Sequence, residues 1–134
     1  MIGINEEVKN TDPTLLSPLT LAFVGDTVFD LLVRGNLVMR ANRPVGKLHP
    51  LAAESVCASA QARAAQIIAP LLTEQETEIY RRGRNAHTGH VPKNASSAEY
   101  HSATGLEALF GWLYLSGQDE RIAQLFEHIT EEKQ

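Results

Sequence analysis

LTLAFVGDTVFDLLV, residues 19–33, is the most informative segment of the chain. It is apolar enough to lie inside a protein, and it should form a helix because Ser17 can cap the free amides and Pro18 suits the first turn. Asp26 is the exception, since a carboxylate among apolar neighbours costs several kcal/mol to desolvate unless a cation or donors compensate. Gly25 lowers helix propensity by about 1 kcal/mol relative to Ala, which predicts that another segment or a ligand approaches the backbone there.

A second apolar segment, ATGLEALFGWLYL at residues 103–115, carries Glu107 in the same way. Only tertiary packing can bring Asp26 and Glu107 together, and two carboxylates in an apolar setting require that one is protonated or that a cation bridges them. Mg²⁺ takes oxygen ligands and needs only one or two protein carboxylates. The structural alternative, in which each acid is salt-bridged or faces water, stays open at this point. Asp30 lies four residues after Asp26, and we expect it to pair with Arg34.

Length and composition limit the class of protein. The 134 residues predict one domain, residues 1–134, that can bury a sizeable core. Cys57 is the single cysteine, so no internal disulfide can form, and a reducing interior is expected. We expect no leader, because the start of the chain is polar and acidic, and no membrane span, because Asp26 and Asp30 interrupt the longest apolar run. The chain is therefore expected to be cytoplasmic and not associated with a membrane.

The charge is uneven along the chain. The net charge is −4, yet no acid occurs between Tyr80 and Ala98. Four basic residues fall in that segment: Arg81, Arg82, Arg84 and Lys93. Such a segment could supply phosphate contacts near a metal site. The alternative reading is that charged residues late in a helix complement its dipole and lie in solvent. The histidines and Cys57 show no zinc-ligand spacing.

The periodicity of apolar residues predicts an all-α protein without strands. Two capping boxes, TEQE at residues 73–76 and SSAE at residues 96–99, mark helix starts. The predicted helices run from about Pro18 to Arg40, from Lys47 or Leu51 to Ala69, from Thr73 to Arg84, from Ser97 to Ser116 and from Asp119 to Glu131. Residues 85–95 are predicted to form an ordered loop, since they contain glycine and proline.

These segments resemble a known family. LAFVGDTVFDLLVR, residues 21–34, is similar to the signature helix of the ribonuclease III family, and ATGLEALFGWLYL is similar to its second acidic helix. RRGRNAHTGHVPKN, residues 81–94, resembles the short form called Mini-ribonuclease III, the catalytic domain alone without a double-stranded-RNA-binding domain. The resemblance covers roughly Leu16 to Leu125.

The resemblance implies an all-helical, ribonuclease III-like endonuclease that forms a homodimer and cleaves double-stranded RNA with Mg²⁺. By that comparison Asp26 and Glu107 are the catalytic and metal-binding acids. Products would carry 5′-phosphates and short 3′ overhangs. The implied substrate is the precursor of the large ribosomal RNA, and a ribosomal protein could serve as an accessory partner. The residues implied to contact RNA are Arg81, Arg82, Arg84, Asn85 and Lys93.

The chain also departs from the full-length enzymes of this family. Three positions that carry further acids there hold Leu19, Ala22 and Thr104 here. The number of metal ions and their remaining ligands are therefore open, and water is expected to fill the vacant positions.

Two other classes of function compete with the nuclease. One is a non-catalytic helical module that binds RNA or a ribosomal partner and kept the fold while its acids became structural. The other is a protein-interaction dimer unconnected to RNA, which predicts no salt-dependent RNA binding.

Overall fold

The computed structural model describes residues 11–86 and 96–132, and within these ranges the chain forms α-helices and no strands. The helices are α1 (Pro18–Arg40), α2 (Val45–Val56), α3 (Ala58–Ile68), α4 (Glu74–Arg84), α5 (Ser97–Leu115) and α6 (Asp119–Glu132). Short 3₁₀ turns at Pro13–Leu15 and Ala69–Leu71 precede α1 and α4. The all-α prediction is confirmed.

Helix α5 lies at the centre of the fold. It is apolar on nearly every side, which is typical of a helix enclosed by neighbours, and Leu106, Leu109 and Leu113 are fully buried. Helices α1, α3 and α4 pack around it, α2 packs on α1, and α6 contacts both α3 and α5. Phe29 of α1 meets Phe110 of α5 edge to face, with ring centroids 5.6 Å apart. A charged residue on α5 can therefore escape full burial only where a neighbouring helix leaves a gap.

Helices α1 and α5 cross with their backbones in direct contact at Gly25 and Gly111. A Cβ atom on Gly25 would overlap the carbonyl oxygen of Glu107 and would lie 2.8 Å from the Gly111 nitrogen. A Cβ atom on Gly111 would likewise overlap the carbonyl oxygen of Leu21. Glycine is required at both positions because no side chain fits between the helices. The close approach expected at Gly25 is confirmed.

The helix ends follow the sequence signals. Ser17 caps α1 by accepting a hydrogen bond from the Thr20 amide, and both predicted capping boxes form. Gly117 ends α5 in a left-handed conformation with φ 73°. The amide of Gln118 then donates to the Leu113 carbonyl, and the amide of Gly117 donates to the Tyr114 carbonyl. This Schellman arrangement satisfies carbonyls that a helix end leaves free.

The prediction of one helix from residue 47 or 51 to Ala69 is wrong, because the helix is interrupted at Cys57. Cys57 has an extended backbone (φ −67°, ψ 160°) and serves as the residue between α2 and α3. Its Sγ lies 3.5 Å from the Glu54 carbonyl of α2 and 3.4 Å from Ser59 Oγ of α3, so the thiol contacts both helices but does not cap α3. The alanine-rich composition gave no signal for this break. Its consequence is that α3 packs on α5 while α2 packs on α1.

A buried ion pair joins α4 to α6. The guanidinium of Arg121 donates to both carboxylate oxygens of Glu76 at 2.9 Å and to the Leu71 carbonyl at 2.8 Å. Glu76 is only 3% exposed. Burial alone would raise the pKa of Glu76, but the hydrogen bonds from Arg121 and from the Thr73 backbone lower it below its usual value. Glu76 thus serves both the cap of α4 and the attachment of α6.

None of the helices in the described part of the chain is long and apolar enough to cross a membrane.

Substitution of glycine by alanine at two positions of α1 tests the close crossing. Gly25→Ala should lower the free energy of unfolding by about 1–3 kcal/mol or more, because the new methyl group meets backbone that cannot rotate away. Gly35→Ala is the matched control. A Cβ there meets nothing within 4 Å, so the substitution should raise stability by about 0.5–1 kcal/mol through helix propensity. Urea unfolding measures both, and equal shifts of the same sign would contradict the crossing.

Candidate active site

The helix crossing brings the two acids of the apolar helices together. Asp26 directly follows Gly25, whose backbone touches that of Glu107. The carboxyl groups of Asp26 and Glu107 are joined by a side-chain hydrogen bond. Asp26 is exposed, whereas Glu107 is partly buried between the helices. The structure therefore places the carboxyl groups in contact, as the sequence analysis required for a shared cation.

Glu107 holds a proton near neutral pH. Burial is the largest cause that raises its pKa from 4.5 to about 8, and the hydrogen bond and the negative charge of Asp26 raise it further. A hydrogen bond from Gln61 has the opposite effect and lowers the pKa of Glu107. A carboxyl group that is protonated at pH 7 can donate to a neighbouring carboxylate, so the Glu107 proton can serve the contact with Asp26. A divalent cation would replace that proton.

Gln61 is a site residue that the sequence analysis missed. It lies in the first turn of α3, is 3% exposed and hydrogen-bonds to the Glu107 side chain. The signal that could have found it is a lone amide side chain on a helix face otherwise made of buried alanines at positions 60, 64 and 65.

The donor set fits a hard divalent cation. It offers oxygen atoms only, two carboxyl groups lie in contact, and the exposed side of Asp26 leaves room for water. Mg²⁺ keeps several waters and is commonly bound by one or two carboxylates. In the described part of the chain no cluster of three or more His, Cys, Asp or Glu residues could hold a metal. The positions that carry further acids in the longer enzymes of the family hold no acid here. One of these positions is Thr104, whose hydroxyl donates to the Tyr100 carbonyl within α5.

Arg81 and Arg82, the first two arginines of the basic segment, already have partners within the protein. The guanidinium of Arg82 donates to the carbonyls of Thr14 at 3.1 Å and Leu16 at 3.0 Å, which fastens the segment before α1 onto α4. Arg81 forms an exposed ion pair with Glu78 one turn earlier. Both contacts belong to the protein itself, and the predicted RNA contacts of these two residues stay predictions.

Arg84 and Asn85 are the more accessible members of this segment. Both are exposed at the end of α4. The Arg84 guanidinium lies 6.0 Å from the Tyr80 ring centroid, a distance at which a cation and an aromatic face still attract. Lys93 and most of the predicted loop lie outside the described residues. The structure thus leaves Arg84 with its charge directed to the surface, where a phosphate could reach it.

Asp30 has the structural role that its spacing predicted. One of its carboxylate oxygens lies 3.1 Å from the Arg34 Nε, one turn further along α1. Asp30 is therefore engaged in its own ion pair and does not belong to the pair formed by Asp26 and Glu107.

Comparison with known proteins agrees with this geometry. Residues 19–118 match the family model described as Ribonuclease III domain. The chain belongs to the ribonuclease III family. It is 46% identical to the Mini-ribonuclease 3 of Symbiobacterium thermophilum, over 90% of this chain and 92% of that relative. It is also 46% identical to the Mini-ribonuclease 3 of a Thermoanaerobacter species, over 92% of this chain and 87% of the relative.

A solved structure shows the same fold. The crystal structure of a protein from Fusobacterium nucleatum superposes with a TM-score of 0.82 at 27% identity, covering 93% of this chain and all of that one. The family assignment predicted from the two acidic helices is confirmed. The chain is thereby an endoribonuclease of the ribonuclease III type, an enzyme class that acts on double-stranded RNA.

The raised pKa of Glu107 predicts how stability depends on pH without a metal ion. Because its pKa is higher in the folded state than the ordinary 4.5, the folded protein binds the extra proton between these values. Its contribution to stability is complete below pH 4.5 and is lost as pH rises through about 8. The slope cannot exceed about 1.4 kcal/mol per pH unit for one proton.

Glu107→Gln is the matched variant for this prediction, since it keeps the size of the side chain and cannot titrate. In chelator, urea unfolding between pH 5 and pH 9 should show a steeper loss of stability in the unsubstituted protein than in the variant. Parallel curves would mean that Glu107 does not hold an extra proton in the folded state.

Proposed function

We propose that the chain is a Mg²⁺-dependent endoribonuclease that cleaves double-stranded RNA at the Asp26–Glu107 pair and acts in maturation of the large-subunit ribosomal RNA precursor. The contact between the two carboxyl groups is the observation that carries the proposal. Two acids from separate helices, in contact and open to solvent on one side, form a site for a cation. An ordinary structural role would pair each acid with its own base, as Asp30 is paired with Arg34.

Each side chain of the site has a definite task in this reaction. Asp26 presents an exposed carboxylate on the surface where RNA would arrive. Glu107 supplies the second carboxylate from the partly buried side, where the enclosing helices limit its movement. When bound, Mg²⁺ would lower the pKa of a coordinated water and stabilise negative charge on the phosphate. The rigid helix crossing keeps both acids in place throughout.

The end of α4 is the proposed RNA-contacting surface. Arg84 and Asn85 are exposed there, and Arg81 can release its solvent-exposed pair with Glu78 at small energetic cost. Arg82 also lies in α4, but its guanidinium mainly holds the segment before α1. Lys93 completes the set by its place in the same basic segment. Because A-form RNA is recognised through shape, phosphates and 2′-hydroxyls, weak to moderate sequence preference is expected.

A homodimer is the proposed assembly, with the outer face of α1 as its interface. Phe23 is 80% exposed and Leu31 is 70% exposed, and both lie on the side of α1 that points away from α5. Large apolar side chains lined up on one helix face commonly mark a protein–protein contact. A two-fold axis at this face would bury the same residues of both copies. Asp26 lies beside this face, so dimerisation would bring two sites along one RNA duplex.

Ribosomal RNA precursor is proposed as the substrate because the resemblance to the short form of the family, drawn from residues 81–94, implies it. Several relatives at 42–46% identity are named Mini-ribonuclease 3 and match along about nine tenths of this chain. An accessory protein, such as a ribosomal protein, could supply additional affinity for the RNA. Location in the cytoplasm stays a prediction that rests on the composition of the sequence.

A non-catalytic RNA- or ribosome-binding module is the second candidate. It would keep the same fold and the basic end of α4 and would retain duplex RNA without cutting it. The contact of Asp26 with Glu107 favours the enzyme, because two carboxyl groups in contact destabilise the fold unless a proton or a cation lies between them, and the nuclease requires such a cation.

Asp26→Asn tests the catalytic assignment. The variant preserves the size of the side chain and removes its charge. Cleavage of labelled duplex RNA in Mg²⁺ should fall by more than about a hundredfold, as expected when a group that stabilises the transition state is lost. The melting temperature and RNA binding should change little.

Chelator added to the unsubstituted protein is the control for metal dependence and should stop cleavage. Undiminished cleavage by Asp26→Asn would remove Asp26 from the site. Retention of intact duplex by the unsubstituted protein in Mg²⁺ would favour the non-catalytic module.

Phe23→Asp tests the dimer. A charge in the centre of the proposed interface should convert the protein to a monomer at micromolar concentration in sedimentation velocity. Leu71→Asp is the control, since Leu71 is also exposed (40%) but lies before α4, away from α1. It should leave the association state unchanged. A Phe23→Asp protein that stays dimeric would exclude this face as the interface.

A further inference from the structure

Gln61 is a buried polar residue for which packing alone gives no reason. It is 3% exposed in an alanine-lined contact between α3 and α5. An amide in such a place costs free energy unless its donors and acceptor are satisfied. Its side chain is hydrogen-bonded to the Glu107 carboxyl group, one of the two acids of the site.

The position of Gln61 depends on the break between α2 and α3. Its backbone amide donates to the Cys57 carbonyl at 3.0 Å in the first turn of α3. The helix that begins after Cys57 packs against α5. Glu107 is therefore held from two sides, by Gln61 of α3 and by Asp26 of α1. A long Glu side chain has several rotamers, and such contacts select one of them.

We propose that Gln61 is a positioning residue that holds the Glu107 carboxylate towards Asp26, so that the pair binds a divalent cation without rearrangement. This inference rests on the proposed function, because it assigns Gln61 a task at that same site. A neutral amide suits the task, since it can donate to a carboxylate without adding charge. Groups that orient metal ligands in this way typically contribute 10–100-fold to metal affinity or activity.

The competing explanation is that Gln61 only fills space between α3 and α5. Gln61→Met separates the two, because methionine has a similar length and no hydrogen-bonding amide. The positioning role predicts that the Mg²⁺ concentration for half-maximal cleavage rises by about 10–100-fold. It also predicts that the Mg²⁺-dependent rise in melting temperature requires correspondingly more Mg²⁺. A space-filling role predicts a melting temperature that changes little, because methionine fills the same space, and the same response to Mg²⁺.

Ile68→Val is the matched control. Ile68 is a fully buried residue of α3, seven positions beyond Gln61, so its truncation should lower the melting temperature and leave the Mg²⁺ response unchanged. A changed Mg²⁺ response in this control would show that any loosening of α3 disturbs the site and would overturn the specific role of Gln61.

Gln61→Glu gives a second, independent measurement should Gln61→Met fail to fold. It places a third carboxyl group beside Glu107, which should lower the melting temperature in chelator at pH 8 and increase the gain on adding Mg²⁺. A gain equal to that of the unsubstituted protein would overturn the inference. If the unsubstituted protein itself shows neither cleavage nor a Mg²⁺-dependent gain, the proposed function fails. If it shows both and the Gln61 variants respond as it does, only the role of Gln61 fails.

Discussion

The fold and the site both depend on the backbone contact between α1 and α5 at Gly25 and Gly111. With no Cβ atoms between them, the helices approach until the Gly25 backbone touches the Glu107 carbonyl. Asp26 follows Gly25 directly, so this approach also fixes the position of its carboxyl group against that of Glu107. A wider helix separation would relieve the repulsion between the acids, but it would open the centre of the apolar core. Packing therefore holds together two acids that cannot both be charged without a cost in free energy.

The free energy that this contact costs is offset elsewhere in the molecule. The buried pair of Glu76 and Arg121 joins α4 to α6, and the guanidinium of Arg82 fastens the segment before α1 to α4. The fully buried leucines of α5 contribute apolar burial at the centre of the fold. The basic residue nearest in the sequence to Asp26, Arg34, is paired with Asp30. Among the described residues no ion pair with a basic side chain neutralises Asp26 or Glu107, which leaves the two acids available for a cation.

Much of the fold could be predicted from the sequence, because its signals are local. The caps at Ser17, Thr73 and Ser96 and the glycine at 117 set helix ends where the structure has them. The break at Cys57 could not be predicted, since a cysteine among alanines has no strong preference and the turn depends on contacts of its thiol. At the site, the two acids were visible as charges in apolar helices. Gln61 was not, because its importance comes from which helix it faces, and composition does not encode that.

The same limit explains why the sequence could not show which arginines of the basic segment bind within the protein and which stay at the surface. Arg82 and Arg84 are alike in the sequence, yet one guanidinium is used on backbone carbonyls and the other stays at the surface. The electrostatics of substrate approach then depends on few groups. The protein carries a net charge of −4. Without a cation, carboxylates at the site would repel a phosphate at contact distance, because salt screens little between charges that are closer than the Debye length of about 8 Å. In the proposed reaction a cation would have to bind before or together with the phosphate, and the exposed side of Asp26 is the surface at which both would arrive.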